Sequence, residues 1–585
     1  MCGIIGILSQ KTDAPDQVVE ALKKLEYRGY DSWGVAIGGK YIKLQKNIGK
    51  ISQAVLVNDT TGNLAIGHTR WATHGGVTQI NAHPHTDCLE KIAVVHNGII
   101  ENFQELKKDL ENFGHKFLSQ TDTEVIPHLI EEELRTEEDF KTALVKSVAK
   151  LKGSYAFVLI RANSNELWAV ANGCPLVVGQ SENQLIISSD ILACKTKKVI
   201  YIPEETLIHI ADEIEFSNLE TGKPKNLKWE ENKVENHEIT PGKFKHFLEK
   251  EIYEQPEIIK KISQMDVREV ETNAALIRHS FGTFFVACGT SYHAALAGEY
   301  LFSQIAKMHI NLISAGEFAN FRHFITDKTL LFPLSQSGET ADVLEAAKVA
   351  VKCRAKILSL VNNPNSTLAR LSDVVMVTPA GPEIAVLSTK AYTSQIAILY
   401  LLANAVAGDF AKAQCDLENL SEMLKTIFEN ESVEKLKKLA KKIKNATSLF
   451  TIGRGLNYAV ALEAALKIKE VSYIHAEGFA GADLKHGPIA LIEKDVPCIV
   501  LVSNDENKEE ILSNAMEVRA RGGFIIGVAP ENNEIFDYHI KVPDFAELSS
   551  IINIVPMQLL SYYLAIAREC DPDKPRNLAK SVTVK

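Results

Sequence analysis

The sequence predicts a multidomain α/β protein, and three observations carry that prediction. The chain runs to 585 residues, more than one hydrophobic core usually supports. Its first third mixes short β-branched runs, turn residues and helical stretches. Its second half repeats a buried strand, a glycine-bearing turn and a helix, the pattern of parallel sheets with helices on both faces.

In the first third, strands are expected at Ile4 to Leu8, Gly34 to Ile37, Leu64 to Gly67, Ile92 to Val95, Tyr155 to Ile160, Leu185 to Ile187 and Leu207 to Ile210. Helical periodicity appears at Pro15 to Leu25, Asn102 to Phe113, Asp122 to Glu133 and Glu138 to Leu151. From Phe216 to Phe247 the chain turns polar and charged, with Gly222, Pro224, Glu230 to Lys233, His237 and Pro241-Gly242, so a domain boundary is expected there.

Two similar blocks follow. Thr283 to Tyr292, containing Cys288-Gly289-Thr290-Ser291, precedes a helix at His293 to Phe302, and Ser448 to Tyr458 precedes a helix at Ala459 to Val471. Leu330 to Leu334 is again a strand, followed by the hydroxyl-rich turn Ser335-Gln336-Ser337-Gly338-Glu339-Thr340 and a helix from about Ala341. In the second block Ile499 to Val502 leads instead into Ser503-Asn504-Asp505-Glu506, where acids replace hydroxyls.

Composition narrows the function classes. A net charge of -10 without a block of like charge argues against a protein built around nucleic acid or an anionic membrane. The nine cysteines are odd in number and scattered without a Cys-x-x-Cys pair, which fits a reducing, cytoplasmic setting rather than a disulfide framework or zinc site. No secretory signal is expected, because Met1 to Leu8 lacks a basic flank and runs into Ser9 and Gln10. The longest apolar run, Ile396 to Ala407, is interrupted by Asn404 and too short to span a bilayer, so it reads as a buried helix.

Cys2 is the first candidate for chemistry. Once an initiator methionine is trimmed, its own α-amino group, with an unperturbed pKa of about 7.7 to 8.0, lies a few bonds from its thiol and can take the thiol proton. On position alone a small apolar cysteine opening a buried strand is the plainer reading. What reverses it is a set of polar clusters at strand ends, where loops bring side chains to a shared rim. These are His68-Thr69-Arg70-Trp71-Ala72-Thr73-His74-Gly75, Asn81-Ala82-His83-Pro84-His85, His96-Asn97-Gly98 and Gln120-Thr121-Asp122-Thr123-Glu124. The four histidines between His68 and His85 do not fall two on one helical face with a third ligand, so no metal is expected. Asp122 read alone is a helix N-cap, and Asn97-Gly98 a tight turn.

Together with the Cys-Gly-Ile-x-Gly start, these segments resemble the glutamine amidotransferases of the N-terminal-nucleophile type. The resemblance implies an αββα sandwich with Cys2 as nucleophile on a central strand. It implies that Arg70 pairs with the carboxylate of glutamine, that Asp122 takes its ammonium, that Asn97 and Gly98 donate to the oxyanion, and that Thr73 and His74 line a closing loop. Where family loops often carry Pro-Ser, this chain has Gly76-Val77-Thr78.

In the second half, a helix N-terminus with short hydroxyls from Thr290, Ser291, Ser335, Ser337 and Thr340 makes an anion cradle. A single such loop is as well read as a capping turn. With Gln336 and Leu484-Lys485-His486-Gly487-Pro488, these segments resemble paired, doubly wound sugar-isomerase (SIS) domains that bind phosphosugars. The combined resemblance spans nearly the whole chain and implies transfer of the amide nitrogen of L-glutamine to fructose 6-phosphate, with isomerisation to glucosamine 6-phosphate. It assigns Lys580 as Schiff-base lysine, Glu470 as proton-moving base, His486 as ring opener and Lys467 as assisting cation. It also places Val386, Ser388 and Ala579 against the substrate, Trp71 as gate of an internal ammonia passage, and a homodimer formed through the isomerase halves that lends His486 to the neighbouring site. No metal or organic cofactor, nucleic acid or membrane is implied. Asp483 stands where the family often has glutamate.

Read without the family, Lys580 is a solvated tail residue, His486 caps a turn, and Glu463, Lys467 and Glu470 form an ordinary ion-pair ladder. The domains implied are a glutaminase at 2–220, a linker at 221–247, SIS domains at 270–412 and 438–575, and an active-site tail at 576–585. Two other functions share these features: a lyase or deglycase with a vestigial glutaminase, and a phosphosugar-sensing protein. Intact Cys2, Arg70, Asn97 and Asp122 weigh against the first, Glu470 and Lys580 against the second.

Overall fold

The computed structural model describes residues 2–57, 60–232 and 240–583. The expectation for the connector around Lys233 and His237 lies outside the described residues. The chain divides into two compact units, Met1–Ile239 with Ser581–Lys585, and Thr240–Lys580.

Strict alternation builds the first unit. Strand Gly3–Ser9 pairs antiparallel with both Gln184–Ser188 and Leu64–Arg70, placing it inside an eight-stranded sheet. Ile4 and Ile66 point to one face and Ile5, Ile7 and Ala65 to the other, as the two-residue period of a strand requires. Ile4 and Ile66 meet Val95, Val158 and Ala169 of a six-stranded antiparallel sheet. Helix Ala14–Lys24 covers the outer face of the first sheet, and helices Phe103–Asn112, Val125–Glu133 and Phe140–Ala149 cover that of the second. The result is the expected αββα sandwich. Strands Lys43–Ile48, Leu167–Asn172, Val177–Gln180 and Lys198–Tyr201 add to it.

In the second unit two five-stranded parallel sheets share one topology. In each, the first strand (Thr283–Ala287 or Ser448–Gly453) lies between the second and third of its domain, and the fourth and fifth continue outward. The repeat read from the sequence is therefore a repeat of fold. In such sheets ligands bind beyond the carboxyl ends of the strands, where the order reverses. The turns at Cys288 to Ser291 and Ser335 to Thr340 leave neighbouring strands at that reversal.

One core serves both repeats. It contains Ile396 to Ala405 of helix Lys390–Ala407, Ala459 to Val471 of helix Leu456–Ser472, and Ile554 to Ala565 of helix Ile554–Ala567. Among the described residues, the stretch Ala546–Ala567 is long and apolar enough to cross a membrane, but 89% of that window is buried in this core.

Candidate functional site

In the first unit the sequence motifs converge on one pocket, lined by Cys2, Arg70, Trp71, Thr73, His74, His83, His96, Gly98, Thr121, Asp122 and Thr123. The half-buried Cys2 sulfur accepts a hydrogen bond from the Trp71 backbone N–H at 3.2 Å. Burial pushes its thiol up from the ordinary value, against the opposing pull of that N–H and of Arg70. A thiol held protonated needs a base beside it.

Asn97 and Gly98 are not a turn. Both lie inside strand Ile92–Ile100, paired with Ala156 and Tyr155. Gly98 adopts φ +115, and a Cβ there would sit 2.1 Å from the Ser154 carbonyl, so glycine is required. Asn97 Nδ2 donates to the carbonyl of Cys2 at 2.9 Å, which sets the carboxamide beside that residue. Asp122 is likewise not a helix cap: its carboxylate reaches back to accept from Ile100 N–H at 2.8 Å.

Arg70 is buried, and its guanidinium donates to the carbonyls of His74, Gly75 (3.0 Å) and Gly76 (3.2 Å). Asn81, fully buried, donates to Gly76 at 3.0 Å and to Gln120 Oε1 at 3.1 Å. Side chains thus hold the Gly76-Val77-Thr78 loop. Asp31, which sequence reasoning missed, accepts from Ala72 N–H at 2.9 Å and braces the turn around Trp71.

His83 and His96 of the pocket lining belong, with His68 and His85, to a buried cluster of histidines. His68 and His83 lie ring on ring at 4.1 Å, with His85 edge-on to His83 at 4.8 Å. Burial lowers His68 to about 3, outweighing its hydrogen bonds, and holds His83, His85 and His96 below the ordinary value. His68 is therefore neutral, and its Nε2–H lies 2.9 Å from the carbonyl of His96 and 3.1 Å from Asn97 Oδ1. That bond turns the Asn97 amide nitrogen toward Cys2. We expect His68→Ala to lower kcat for glutamine cleavage by about 10²-fold with little change in KM, and His68→Gln, which retains an N–H donor, to recover part of it. Equal loss in both variants, or a loss confined to KM, would contradict this positioning role.

In the second unit Glu463, Lys467 and Glu470 form an ion-pair ladder, and it is buried. Lys467 Nζ lies 2.7 Å from Glu470, 3.3 Å from Glu463 and 3.0 Å from Thr290 Oγ1, with the lysine side chain 1% exposed. His293 Nδ1 meets Glu463 at 2.7 Å. Burial opposes ionisation of all three ladder groups. The two carboxylates nevertheless hold Lys467 above its ordinary value, Lys467 holds Glu463 below, and Glu470 ends above. A carboxyl so placed binds a proton more readily than an exposed one.

Lys580 is not a solvated tail residue. Its ammonium lies 2.6 Å from Glu383, with side chains 3% and 0% exposed respectively. Glu383, also missed in the sequence, accepts from Ser388 Oγ at 3.0 Å, Thr389 N–H at 2.8 Å and Ala391 N–H at 3.1 Å, at the start of helix Lys390–Ala407. Burial alone would raise it, but Lys580 and these donors hold it low. Val386 N–H donates to the Asp573 carbonyl at 3.0 Å, while the Asp573 carboxylate accepts from Phe247 and Leu248 N–H, so the tail preceding Ala579 is anchored.

Glu251, behind this pair, accepts from Ala385 N–H at 3.3 Å, and burial raises it from 4.5 to about 8. Between those values the folded chain keeps a proton that the unfolded chain has lost, so this group makes stability fall as pH rises. Glu251→Gln is expected to flatten that decline; parallel melting profiles for wild type and variant between these limits would contradict it.

The Ser335 to Thr340 turn is internally organised. Gly338 N–H donates to Ser335 Oγ at 3.0 Å and Glu339 N–H to Ser337 Oγ at 3.1 Å. Thr340 precedes helix Ala341–Lys352 without capping it through its side chain. Gly338 takes φ +66 against Ser366, where a Cβ would fall 2.0 Å from the hydroxyl. Ser291 is tied to Gln395 at 3.1 Å. In the second repeat Asp505 turns back onto Asn507 N–H at 2.8 Å, so a carboxylate occupies the corresponding turn. His486 ends a 3₁₀ turn, Asp483–His486, and is exposed.

Comparison with known proteins agrees with both halves. Residues 68–196 match the glutamine amidotransferase domain, and residues 276–405 and 442–568 each match the SIS domain. The chain is 44% identical to the glutamine–fructose-6-phosphate aminotransferase (isomerizing) of Thermococcus kodakarensis and 42% to that of Pyrococcus horikoshii, over all of both chains in each case. Among solved structures, the C-terminal domain of glucosamine-fructose-6-phosphate aminotransferase from Francisella tularensis aligns over 58% of this chain and all of its own, at 32% identity and a TM-score of 0.53. The chain belongs to the isomerizing glutamine–fructose-6-phosphate aminotransferase family.

Proposed function

We propose that this protein transfers the amide nitrogen of L-glutamine to D-fructose 6-phosphate and isomerises the product to D-glucosamine 6-phosphate, releasing L-glutamate. The observation that carries the reading is full-length similarity to the named aminotransferases, at 44% identity, in a chain that retains both constellations.

In the first half-reaction the Cys2 sulfur attacks the amide carbon. Its proton passes to the α-amino group, exposed by removal of Met1, and on to the departing ammonia. Asn97 Nδ2–H and Gly98 N–H stabilise the oxyanion, the contribution that tends to be largest in acyl transfer. Water then releases glutamate from the thioester. Arg70 pairs with the substrate carboxylate, Asp122 with its ammonium, and Thr73 and His74 close over them. Trp71 governs where the ammonia goes.

In the second, the hydroxyls of Thr290, Ser291, Ser335, Ser337 and Thr340, with Gln336, hold the sugar phosphate. His486 opens the ring. Lys580 attacks the ketone carbon as a free amine after passing a proton to Glu383, water leaves, and ammonia displaces the lysine from the imine. Glu470 then carries a proton between the two neighbouring sugar carbons, with Lys467 stabilising its carboxylate form. Val386, Ser388 and Ala579 line the substrate. Exposure of His486 accords with its use by a second protomer, in a homodimer built on the SIS halves, and the setting is the cytoplasm. The domains are those expected above, from the glutaminase at 2–220 to the tail at 576–585. The test is stoichiometry: glutamate and glucosamine 6-phosphate are expected one for one, whereas glutamate release with no amino sugar at saturating fructose 6-phosphate would overturn the reading.

A further inference from the structure

On the side of the first unit away from Cys2's own strand, four side chains with no part in this mechanism converge. Cys88 lies in the turn between strands His85–Thr86 and Ile92–Ile100, His115 follows helix Phe103–Asn112, and His128 and Glu131 stand one turn apart on helix Val125–Glu133. One ligand atom from each lies within 4.8 Å of all the others. Cys88 Sγ is 3.6 Å from His115 Nδ1 and 3.5 Å from His128 Nδ1, while Glu131 Oε2 is 3.1 Å from the first ring nitrogen and 3.4 Å from the second.

We propose that Cys88, His115, His128 and Glu131 form a structural zinc site. Tetrahedral zinc, with bonds of about 2.0 to 2.3 Å, sets its ligand atoms about 3.3 to 3.8 Å apart; the four pairs above span 3.1 to 3.6 Å, and the remaining two lie within 4.8 Å. One thiolate, two imidazoles and a carboxylate are a donor set suited to this borderline cation. Hydrogen bonding among these atoms can use at most one thiol and two ring protons, whereas a cation at their centre engages a lone pair of every one.

The surroundings fit the same use. His115 turns its other nitrogen to Glu132 at 2.8 Å, the carboxylate–histidine pairing that orients an imidazole ligand around a metal, while His128 Nε2 faces Glu124 at 3.7 Å, beyond hydrogen-bond reach. Lys116 N–H lies 3.4 Å from Cys88 Sγ and Cys88 N–H donates to Glu131 at 3.0 Å, so backbone groups support both anionic ligands. Both histidines are buried, while Cys88 is exposed and gives a cation its way in. The cysteine is 40 residues from His128 in sequence, so the zinc would staple the turn that follows His83 and His85 to the helix that follows Asp122 and Thr123. It would stiffen two walls of the glutamine pocket without touching substrate.

Full-length protein, stripped with a chelator, given one equivalent of zinc and passed through a desalting column, is expected to retain about one zinc per chain by plasma mass spectrometry. Cobalt in place of zinc is expected to give the visible bands of a tetrahedral site and a thiolate charge-transfer band. Cys88→Ser, a surface change that spares the fold, should abolish the charge-transfer band and lower retained zinc at least fivefold. His128→Gln should also lose zinc, and Cys415→Ser, at another exposed thiol, should match wild type. Failure of wild type to retain zinc, or an unchanged cobalt spectrum and zinc content in Cys88→Ser, would overturn the proposal.

Discussion

Replacing Cys2 with alanine is expected to reduce glutamine cleavage by at least about 10⁴-fold while leaving interconversion of phosphosugars at the second unit intact. The structure separates this chemical loss from misfolding. Cys2 precedes strand Gly3–Ser9, whose ladders to Leu64–Arg70 and Gln184–Ser188 begin beyond it. Removing the sulfur deprives the Trp71 N–H of its acceptor, at a cost of about 1 kcal/mol. The folded state should therefore persist, with a melting temperature near that of wild type. Glutamate release by the variant at more than a small fraction of the wild-type rate would mean that another group, or water alone, attacks the amide.

The second large effect is expected at Lys580. Lys580→Met removes the amine proposed to attack the sugar and leaves Glu383 charged and fully buried, with its serine and backbone donors as remaining support. Stripping one partner from a buried pair costs about 3 to 5 kcal/mol. Stability should fall by that order and amino-sugar formation should cease. Adding Glu383→Gln in the same chain is expected to restore most of the stability and none of the activity, because the carboxamide can keep accepting from Thr389 and Ala391 without a counter-ion. Restored activity in the double variant would remove Lys580 from the chemistry. Glutamine cleavage without sugar is the internal control, since Cys2 and its neighbours lie in the other unit.

Much of this was legible in the sequence because local patterns carried it. Isoleucines at Ile4, Ile5 and Ile7 announced a strand buried on both faces, and the polar clusters after Leu64–Gly67 and Ile92–Val95 announced a rim. Strand Lys43–Ile48 escaped because its faces are largely exposed and carry lysine and asparagine at an edge. Asn97-Gly98 reads locally as a turn, but pairing with Ala156 and Tyr155 overrides the dipeptide's preference. Asp122 stands where a cap belongs and serves Ile100 instead, a choice made by tertiary proximity.

What sequence could not reveal is what burial does to charge. Lys580 near a chain end looks solvated until Glu383, 197 residues away, is found against it. The ladder of Glu463, Lys467 and Glu470 has ordinary helical spacing, and only its enclosure moves Glu470 above its ordinary value. His68 was visible only as part of a motif; its neutrality comes from burial and its grip on Asn97 from a contact made across the fold. The Cys88 cluster draws on three separate segments, so no spacing rule applied along the chain would have found it.

The proposed reaction moves nitrogen from glutamine to a sugar phosphate within a single chain. The most direct measurement supplies glutamine labelled at the amide nitrogen together with fructose 6-phosphate and excess unlabelled ammonium, and follows the product by mass spectrometry. Glucosamine 6-phosphate is expected to carry the label in nearly every molecule, and Cys2→Ala to give no labelled product. Product bearing mostly unlabelled nitrogen, or labelled product formed equally well without Cys2, would contradict it.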